Sequence, residues 1–369
     1  MLKNKTRFWV CLGVVSTDEA MNWGVWMIPV EIPVEKSVAV ARGLHEAFGV
    51  TEIDAIRMLT KGQTPALVFR IVVRGTAYLL RISMWPVDQT THFDCLRGAA
   101  DGGVAPLVWY TNVEDKISIT DYVEAIPFPA PEALVRMPAT LRKLHGLAPF
   151  PTRADNINTT CTFLLHKGPV VEGFLKRIQS AGIFSEGESE EVLARFEELV
   201  AAYPSDDGDL VSSHNDLFKP DNVLYDGGRV WLVDWEAAFL NDRYVDLAVV
   251  ANLLVSDEAE EGVFLETYFG QAPDEYQRAR LFLMQQLSHF FYAAAYLLQG
   301  APGKAADRSA AAPDWKDFQK KLWSGEIFLE GGEVKLAYGR IHLERFLRNV
   351  RRERFAEALK LVSGGKSGT

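Results

Sequence analysis

"SHNDLFKPDN" (213–222) places an acid, a lysine, a second acid and an amide within seven positions, Asp216 to Asn222. The chain continues as "VLYDGGRVWLVDWEAAFLNDRYVDLA" (223–248), in which two short apolar runs flank Asp226-Gly227-Gly228. That order predicts an acid-rich loop, a strand, a tight turn, a second strand and another acid. The resulting β-hairpin presents Asp216 and Asn222 at one end and Asp234 just past the other, so three oxygen-bearing side chains can converge. A solvated acidic loop explains any one of these groups, and motifs this short arise often by accident. The ordered succession of loop, hairpin, "VDWE" and "DLA" is what points to a site. Phosphoryl transfer needs such a set, because a carboxylate must orient the attacking hydroxyl while hard oxygen ligands hold Mg²⁺ against nucleotide phosphates.

Composition narrows the alternatives. A chain of 369 residues suggests two domains, or one domain with a large extension. A net charge of −10 disfavours a nucleic-acid partner, whose phosphates call for a basic footprint, and suits a cationic small molecule. No apolar run approaches the ~18 residues of a membrane span. The three cysteines, Cys11, Cys95 and Cys161, are far apart and fit neither a disulfide framework nor a metal site, which points to a reducing cytoplasm. Lys3, Lys5 and Arg7 before "FWVCLGVV" imitate a short signal peptide without a small-residue cleavage site. Residues 1–26 are therefore expected to be an unstructured leader, or to lie upstream of a true start at Met27.

A helix is expected around 36–48. "IRMLTKGQTPALVFRIVVRGTAYLLRIS" (56–83) reads as three β-runs broken by turn chemistry, a small antiparallel sheet. Helix-like spacing follows in 91–103, then strand character in "LVWYTN" and "KISITDYVEAIPF". From residue 131 the texture turns helical, notably in 131–147, 186–202 and 275–299. The expected domains are an N-terminal lobe, 27–125, and a C-terminal catalytic and substrate lobe, 126–362. Residues 301–313 are expected to form a flexible loop, and 363–369 a disordered tail.

On "HND", "VDWE" and "DRYVDLA" the chain resembles the aminoglycoside phosphotransferase and choline kinase superfamily, relatives of the protein kinases, nearest its bacterial choline/ethanolamine kinase-like members. The likeness covers roughly residues 50–300 and is most specific over 213–248. It implies a two-lobed, protein-kinase-like α+β fold with a small antiparallel-sheet lobe covering ATP and a mostly helical lobe carrying the catalytic hairpin. It implies that Asp216 orients the substrate hydroxyl, that Asp234 and Asn222 bind Mg²⁺, and that Lys219 touches the transferred phosphate. His214 and Asp246 would support the loop. Such families place four residues between the catalytic Asp and the metal-binding Asn, whereas five, "LFKPD", stand here. Either the loop bulges near Phe218 and Asn222 is the ligand, or Asp221 takes the metal; the match of "KPDN" to a kinase "KPEN" favours the bulge.

For the nucleotide, the resemblance implies a phosphate contact from the "TKGQTPA" turn near Gly62 and from Arg81 in "YLLRIS". It implies an adenine-binding hinge at Asp121, Tyr122 and Val123. The helix acid that usually pairs with the phosphate-binding residue is unassigned, since His92 stands in its place with Asp94 nearby. His145, His166, His289 and His342 read as structural or exposed. Trp235, Glu236 and Tyr292, in "HFFYAAAY" (289–296), are candidate substrate contacts, because aromatic and acidic groups suit an ammonium; aromatic residues on a long helix also pack cores. The acceptor is thus a small hydroxyl compound, choline or ethanolamine among the candidates, with aminoglycosides, amino sugars or a silent nucleotide-binding regulator as alternatives. A protein kinase is disfavoured by "VDWE" in place of DFG and by the lack of an APE segment.

Overall fold

The computed structural model describes residues 9–11, 27–29, 32–59, 66–86, 88–152, 161–165, 169–204, 210–218, 220–300 and 311–365. The chain divides into two compact units, Met1–Glu124 and Ala125–Thr369. No described helix is long and apolar enough to cross a membrane.

The first unit begins with strand β1 (Trp9–Cys11), paired antiparallel with β2 (Met27–Pro29). Strand β1 lies within the stretch 1–26 expected to be an unstructured leader or upstream of the true start, and the rest of that stretch is outside the described residues. Helix α1 (Val34–Phe48) ends at Gly49, whose φ of 64° lets its N–H reach the carbonyl of His45. Next come β3 (Ala55–Met58), β4 (Ala66–Val73), β5 (Thr76–Ser83), helix α2 (Thr90–Asp101), β6 (Val108–Asn112) and β7 (Ile117–Asp121).

The five strands form one antiparallel sheet in the order β3-β4-β5-β7-β6. Arg74 and Gly75, both at positive φ, close the two-residue turn that sets Val73 opposite Thr76. That register fixes the faces. Phe69, Ile71, Val73, Tyr78, Leu80 and Ile82 point to a core shared with Val40 and Leu44 of α1. Arg70 and Arg81 therefore lie on the opposite face.

The second unit is helical around two small ribbons. Helices α3 (Ala130–His145), α4 (Pro169–Ala181) and α5 (Glu186–Ala202) precede strands β8 (Leu210–Ser213), β9 (Val223–Tyr225), β10 (Val230–Leu232) and β11 (Phe239–Asp242). Then follow α6 (Arg243–Leu254), α7 (Glu258–Phe269), α8 (Glu275–Gly300), α9 (Trp315–Trp323), α10 (Gly332–Val350) and α11 (Glu353–Gly365). The start of α5 is set by a capping box in which Ser185 and Glu188 satisfy each other's backbone N–H. Helix α8 is buried along most of its length, against α6, α10 and α11. At Gly339 a Cβ would come within 2.8 Å of Leu297, so glycine is what lets α10 approach α8 so closely. Helix α11 runs to Gly365, into the stretch from 363 that was expected to be a tail, since extending a formed helix needs no new nucleus.

One buried ion pair ties α8 to the ribbons. Asp242 caps α6 by accepting the N–H of Tyr244, and its other oxygen accepts hydrogen bonds from Arg280, at 2.8 Å, and from the Tyr203 hydroxyl, at 2.9 Å. The rings of Tyr203 and Tyr244 lie within 5 Å of the Arg280 guanidinium, a cation–π box around a fully buried charge. Removing the cation leaves a buried carboxylate short of its partner. Arg280→Ala is expected to lower stability by about 3–5 kcal/mol in chemical denaturation; a loss under about 1 kcal/mol would mean that the pair does not hold these elements.

Candidate functional site

Two nested ribbons build the site. Strand β8 leads into "HND", β9 and β10 form the hairpin around Asp226–Arg229, and β11 returns to pair with β8, Ser213 opposite Phe239. In the hairpin Val223 faces Leu232, and Val233 donates its N–H to the Asn222 carbonyl at 3.0 Å. An antiparallel hairpin brings the chain back to its starting end, so Asn222 and Asp234 are neighbours there rather than at opposite ends. The Asn222 side chain, 4% exposed, donates to the Asp216 carbonyl at 2.7 Å and to the Asp216 carboxylate at 2.9 Å. Asp216, Asn222 and Asp234 thus meet at the open end of one hairpin.

The extra residue between Asp216 and Asn222 is absorbed by a turn at Leu217–Phe218 and a single 3₁₀ turn, Pro220–Asn222. Asp221 is exposed while Asn222 points inward. Lys219, Gly62 and His166 lie outside the described residues.

A buried carboxylate pins the loop. Asp246, in the first turn of α6, accepts the backbone N–H groups of His214 and Asn215, both at 2.8 Å. His145 of α3 reaches the same carboxylate through Nε2 at 3.3 Å, and its Nδ1 lies 2.7 Å from the Tyr268 hydroxyl of α7. The His214 ring spans to the Val233 carbonyl at 2.9 Å and packs on Trp235. Burial pushes the Asp246 carboxyl up, but the hydrogen bond and charge of His145, with His214, outweigh it and leave the group below its ordinary range.

Asn215 and Asp234 both have φ of 68°, an unfavourable left-handed geometry for a residue with a side chain. Asn215 is held there by its side chain, which donates to the Ala237 carbonyl at 3.0 Å and accepts from Asn241 at 2.7 Å. Sequence reading missed Asn215, Asn241, Tyr268 and the support from His145. The only signal was the pairing of "HND" with "FLND", two short polar motifs at strand ends.

The candidate substrate residues separate. Trp235 is 1% exposed and its indole N–H is spent on the Leu232 carbonyl, so it is a core residue under the loop rather than a ligand contact. The 3₁₀ turn Trp235–Ala237 turns it inward, whereas Glu236 is half-buried. Tyr292 stands beside Phe218 with ring centroids 4.9 Å apart, and it joins Tyr296, Tyr338 and His342 in one aromatic cluster. Burial raises the hydroxyls of Tyr292 and Tyr296 well above the ordinary range, and the charges of Tyr338 and Asp216 add to both shifts. His289 and His342, read as structural, are buried and share a 2.8 Å contact between their Nδ1 atoms.

In the first unit Arg81 is half-buried on the sheet face away from α1, opposite Val68 and Ser118. Pairing of β5 with β7 ends at Tyr78–Asp121, and the Asp121 side chain accepts the Trp109 indole N–H at 2.7 Å. Tyr122 and Val123 lie past that end, with Arg70 over the Tyr122 ring. His92 contacts Gln89 through Nδ1 at 2.9 Å, and Asp94 faces Arg97.

The donor set bears on a metal. Among the described residues no three His, Cys, Asp or Glu side chains form a cage. Two aspartates and an amide oxygen suit Mg²⁺, which takes one or two carboxylates and completes its shell with water and substrate phosphates. Because the Asn222 nitrogen is committed to Asp216, its oxygen is left for such a ligand role.

A model of the phosphotransferase enzyme family matches residues 95–282, 188 of 369 residues. No curated protein matches the sequence. Among solved structures, the fold is similar to that of a choline/ethanolamine kinase family protein from Mesorhizobium loti, with 20% identity, 89% of this chain and 100% of that chain covered, and a TM-score of 0.64. A Plasmodium vivax ethanolamine kinase is similar at 13% identity, with 88% and 90% covered and a TM-score of 0.55. The streptomycin–ATP–APH(2″)-IIa ternary complex is similar at 13% identity, with 75% and 93% covered and a TM-score of 0.53. The small antiparallel sheet and helical second unit are therefore those of a kinase-like α+β fold.

Asp246 contributes to stability above about pH 4, the unfolded aspartate value, and that contribution is lost as pH falls through its lower folded value. Asp246→Asn sets an amide against backbone N–H donors. It is expected to cost about 3 kcal/mol at pH 7 and to flatten the acid side of the stability curve, measured by denaturation from pH 7 to pH 3. An unchanged acid limb would count against this assignment.

Proposed function

This chain belongs to the phosphotransferase enzyme family, and we propose that it transfers the γ-phosphate of ATP, with Mg²⁺, to a hydroxyl of a small cationic metabolite, choline or ethanolamine being the leading candidates. The observation that carries this reading is the convergence of Asp216, Asn222 and Asp234 on one pinned hairpin end. Asp216 is assigned to the acceptor hydroxyl, whose proton it orients and accepts. Asn222 and Asp234 would hold Mg²⁺, which when bound neutralises the charge on the phosphates. Asp221, exposed beside them, is not assigned a ligand role.

Arg81 is assigned to the nucleotide phosphates, which a planar guanidinium can grip through two hydrogen bonds. Backbone groups of Asp121, Tyr122 and Val123 are assigned to the adenine, because sheet pairing stops at Asp121 and no longer claims the groups beyond it. Lys219 and Gly62 keep their assignment to the phosphates from the resemblance alone. His214 and Asp246 act as positioning residues.

The cationic acceptor is supported by the setting of Asp216. Phe218, two residues along from it, packs on Tyr292 and Tyr296, and Tyr338 completes the aromatic cluster. Aromatic faces beside one carboxylate favour a compact ammonium by cation–π and charge attraction. Presence of all three polar groups favours turnover over a silent nucleotide-binding protein.

Acceptor-dependent ADP release is expected with Mg·ATP and choline or ethanolamine. Asp216→Asn should lower it by roughly 10²–10⁴-fold while Mg·ATP binding persists. Full activity in that variant would overturn the assignment of Asp216. Release with aminoglycosides or amino sugars alone would overturn the acceptor but leave the transfer reading standing.

A further inference from the structure

A cavity of about 390 Å³ lies where the start of α9 meets the C-terminal half of α10 and the end of α6. Its charged lining is four cations, Lys316, Arg345, Arg348 and Arg352, against two carboxylates, Asp314 and Glu344. That is an excess of two positive charges in a chain of net −10, where an accidental cluster of this sign is unexpected. Arg345 and Arg348 sit one turn apart on α10, and Arg352 follows the helix end, so the three share one side.

The two carboxylates offset only half of the four positive charges. Asp314 is the N-cap of α9 and accepts the N–H of Asp317 at 2.9 Å, while Glu344 is exposed. Among the described residues none of the four cations forms an ion pair. Arg345 is the telling member. Its guanidinium stacks on Trp315 at 4.7 Å, and its Nε lies 3.4 Å from Nε2 of His289. Burial, and then the like charge of Arg348, hold its pKa down to about 10. A partly buried, charged arginine facing a cavity where four cations stand against two carboxylates is stabilised by an anion entering from solvent.

The anion's class follows from the donors. Guanidinium forks and an ammonium converging from two helices match an oxyanion with several acceptor atoms. The volume admits a phosphate and a short organic portion, with Trp315, Val255 and Ile341 as apolar floor. None of these residues is among Asp216, Asn222, Asp234 or the tyrosines of the aromatic cluster. We propose that this cavity is a second binding site, specific for a phosphate monoester of a small molecule and separate from the phosphoryl-transfer site.

Isothermal titration calorimetry on the full chain, without Mg²⁺ or nucleotide and at fixed ionic strength, tests this with glycerol phosphate, inorganic phosphate and glycerol. Glycerol phosphate is expected to bind with a Kd of roughly 0.1–1 mM, at least as tightly as inorganic phosphate, and glycerol not at all. Arg345→Gln should weaken the monoester about tenfold or more. Should that variant lose its fold with the Trp315 stack, the exposed double variant Arg348→Gln/Arg352→Gln must show the same loss. Asp234→Asn should leave binding unchanged. Saturation absent below about 10 mM, tighter binding of inorganic phosphate than of the monoester, full binding in the double variant, or loss in Asp234→Asn would each overturn the proposal.

Discussion

The hydrogen bonds from the amides of His214 and Asn215 to the buried carboxylate of Asp246 are what the rest of the site depends on. A carboxylate taken out of water is costly unless its oxygens are satisfied, so the loop cannot drift without exposing an unpaired charge. The placement in the first turn of α6 adds to this, because the positive end of the helix favours an acid there. His145 and Tyr268 extend the same network into α3 and α7. Helices far apart in sequence are thereby fixed to the one loop that carries Asp216.

That anchoring explains how two residues tolerate left-handed backbone. Asn215 and Asp234 each hold a conformation that costs of order 1–3 kcal/mol, and only surroundings that over-determine them keep it. For Asn215 the surroundings are explicit: one backbone bond to Asp246, one side-chain bond to Ala237 and one from Asn241. For Asp234 they are the hairpin end before it and the 3₁₀ turn after it. Turning the chain sharply at these points separates the inward residues, His214 and Trp235, from the acids beside them.

This also marks what the sequence could show. Asp226-Gly227-Gly228 punctuates the hairpin and Arg74-Gly75 the sheet, and because such turns have local causes, both were legible. The expectation that Asp216, Asn222 and Asp234 converge has the same local cause, the placing of the hairpin. The outer pairing of β8 with β11 was not legible, since its partners are separated by the whole hairpin. Trp235 misled for the same reason: adjacency to Asp234 suggested a shared role, but successive side chains at a 3₁₀ turn point about 120° apart. Tyr338, on a helix not singled out beforehand, joins Tyr292 and Tyr296 only through the packing of α10 on α8.

The same α8–α10 packing organises charge within the second unit. From Phe218, two residues past Asp216, the contacts run through Tyr292 to His342, from His342 to His289, and from His289 to Arg345. Burial, with the nearby arginine charge, pushes both histidines well below their ordinary range. Both are therefore neutral at pH 7, as a bond between two imidazole nitrogens requires if one is to donate and the other accept. Two uncharged imidazoles thus stand between Tyr292 and the guanidinium of Arg345. Arg345, stacked on Trp315 and donating to the neutral His289, has no ion-pair partner among the described residues.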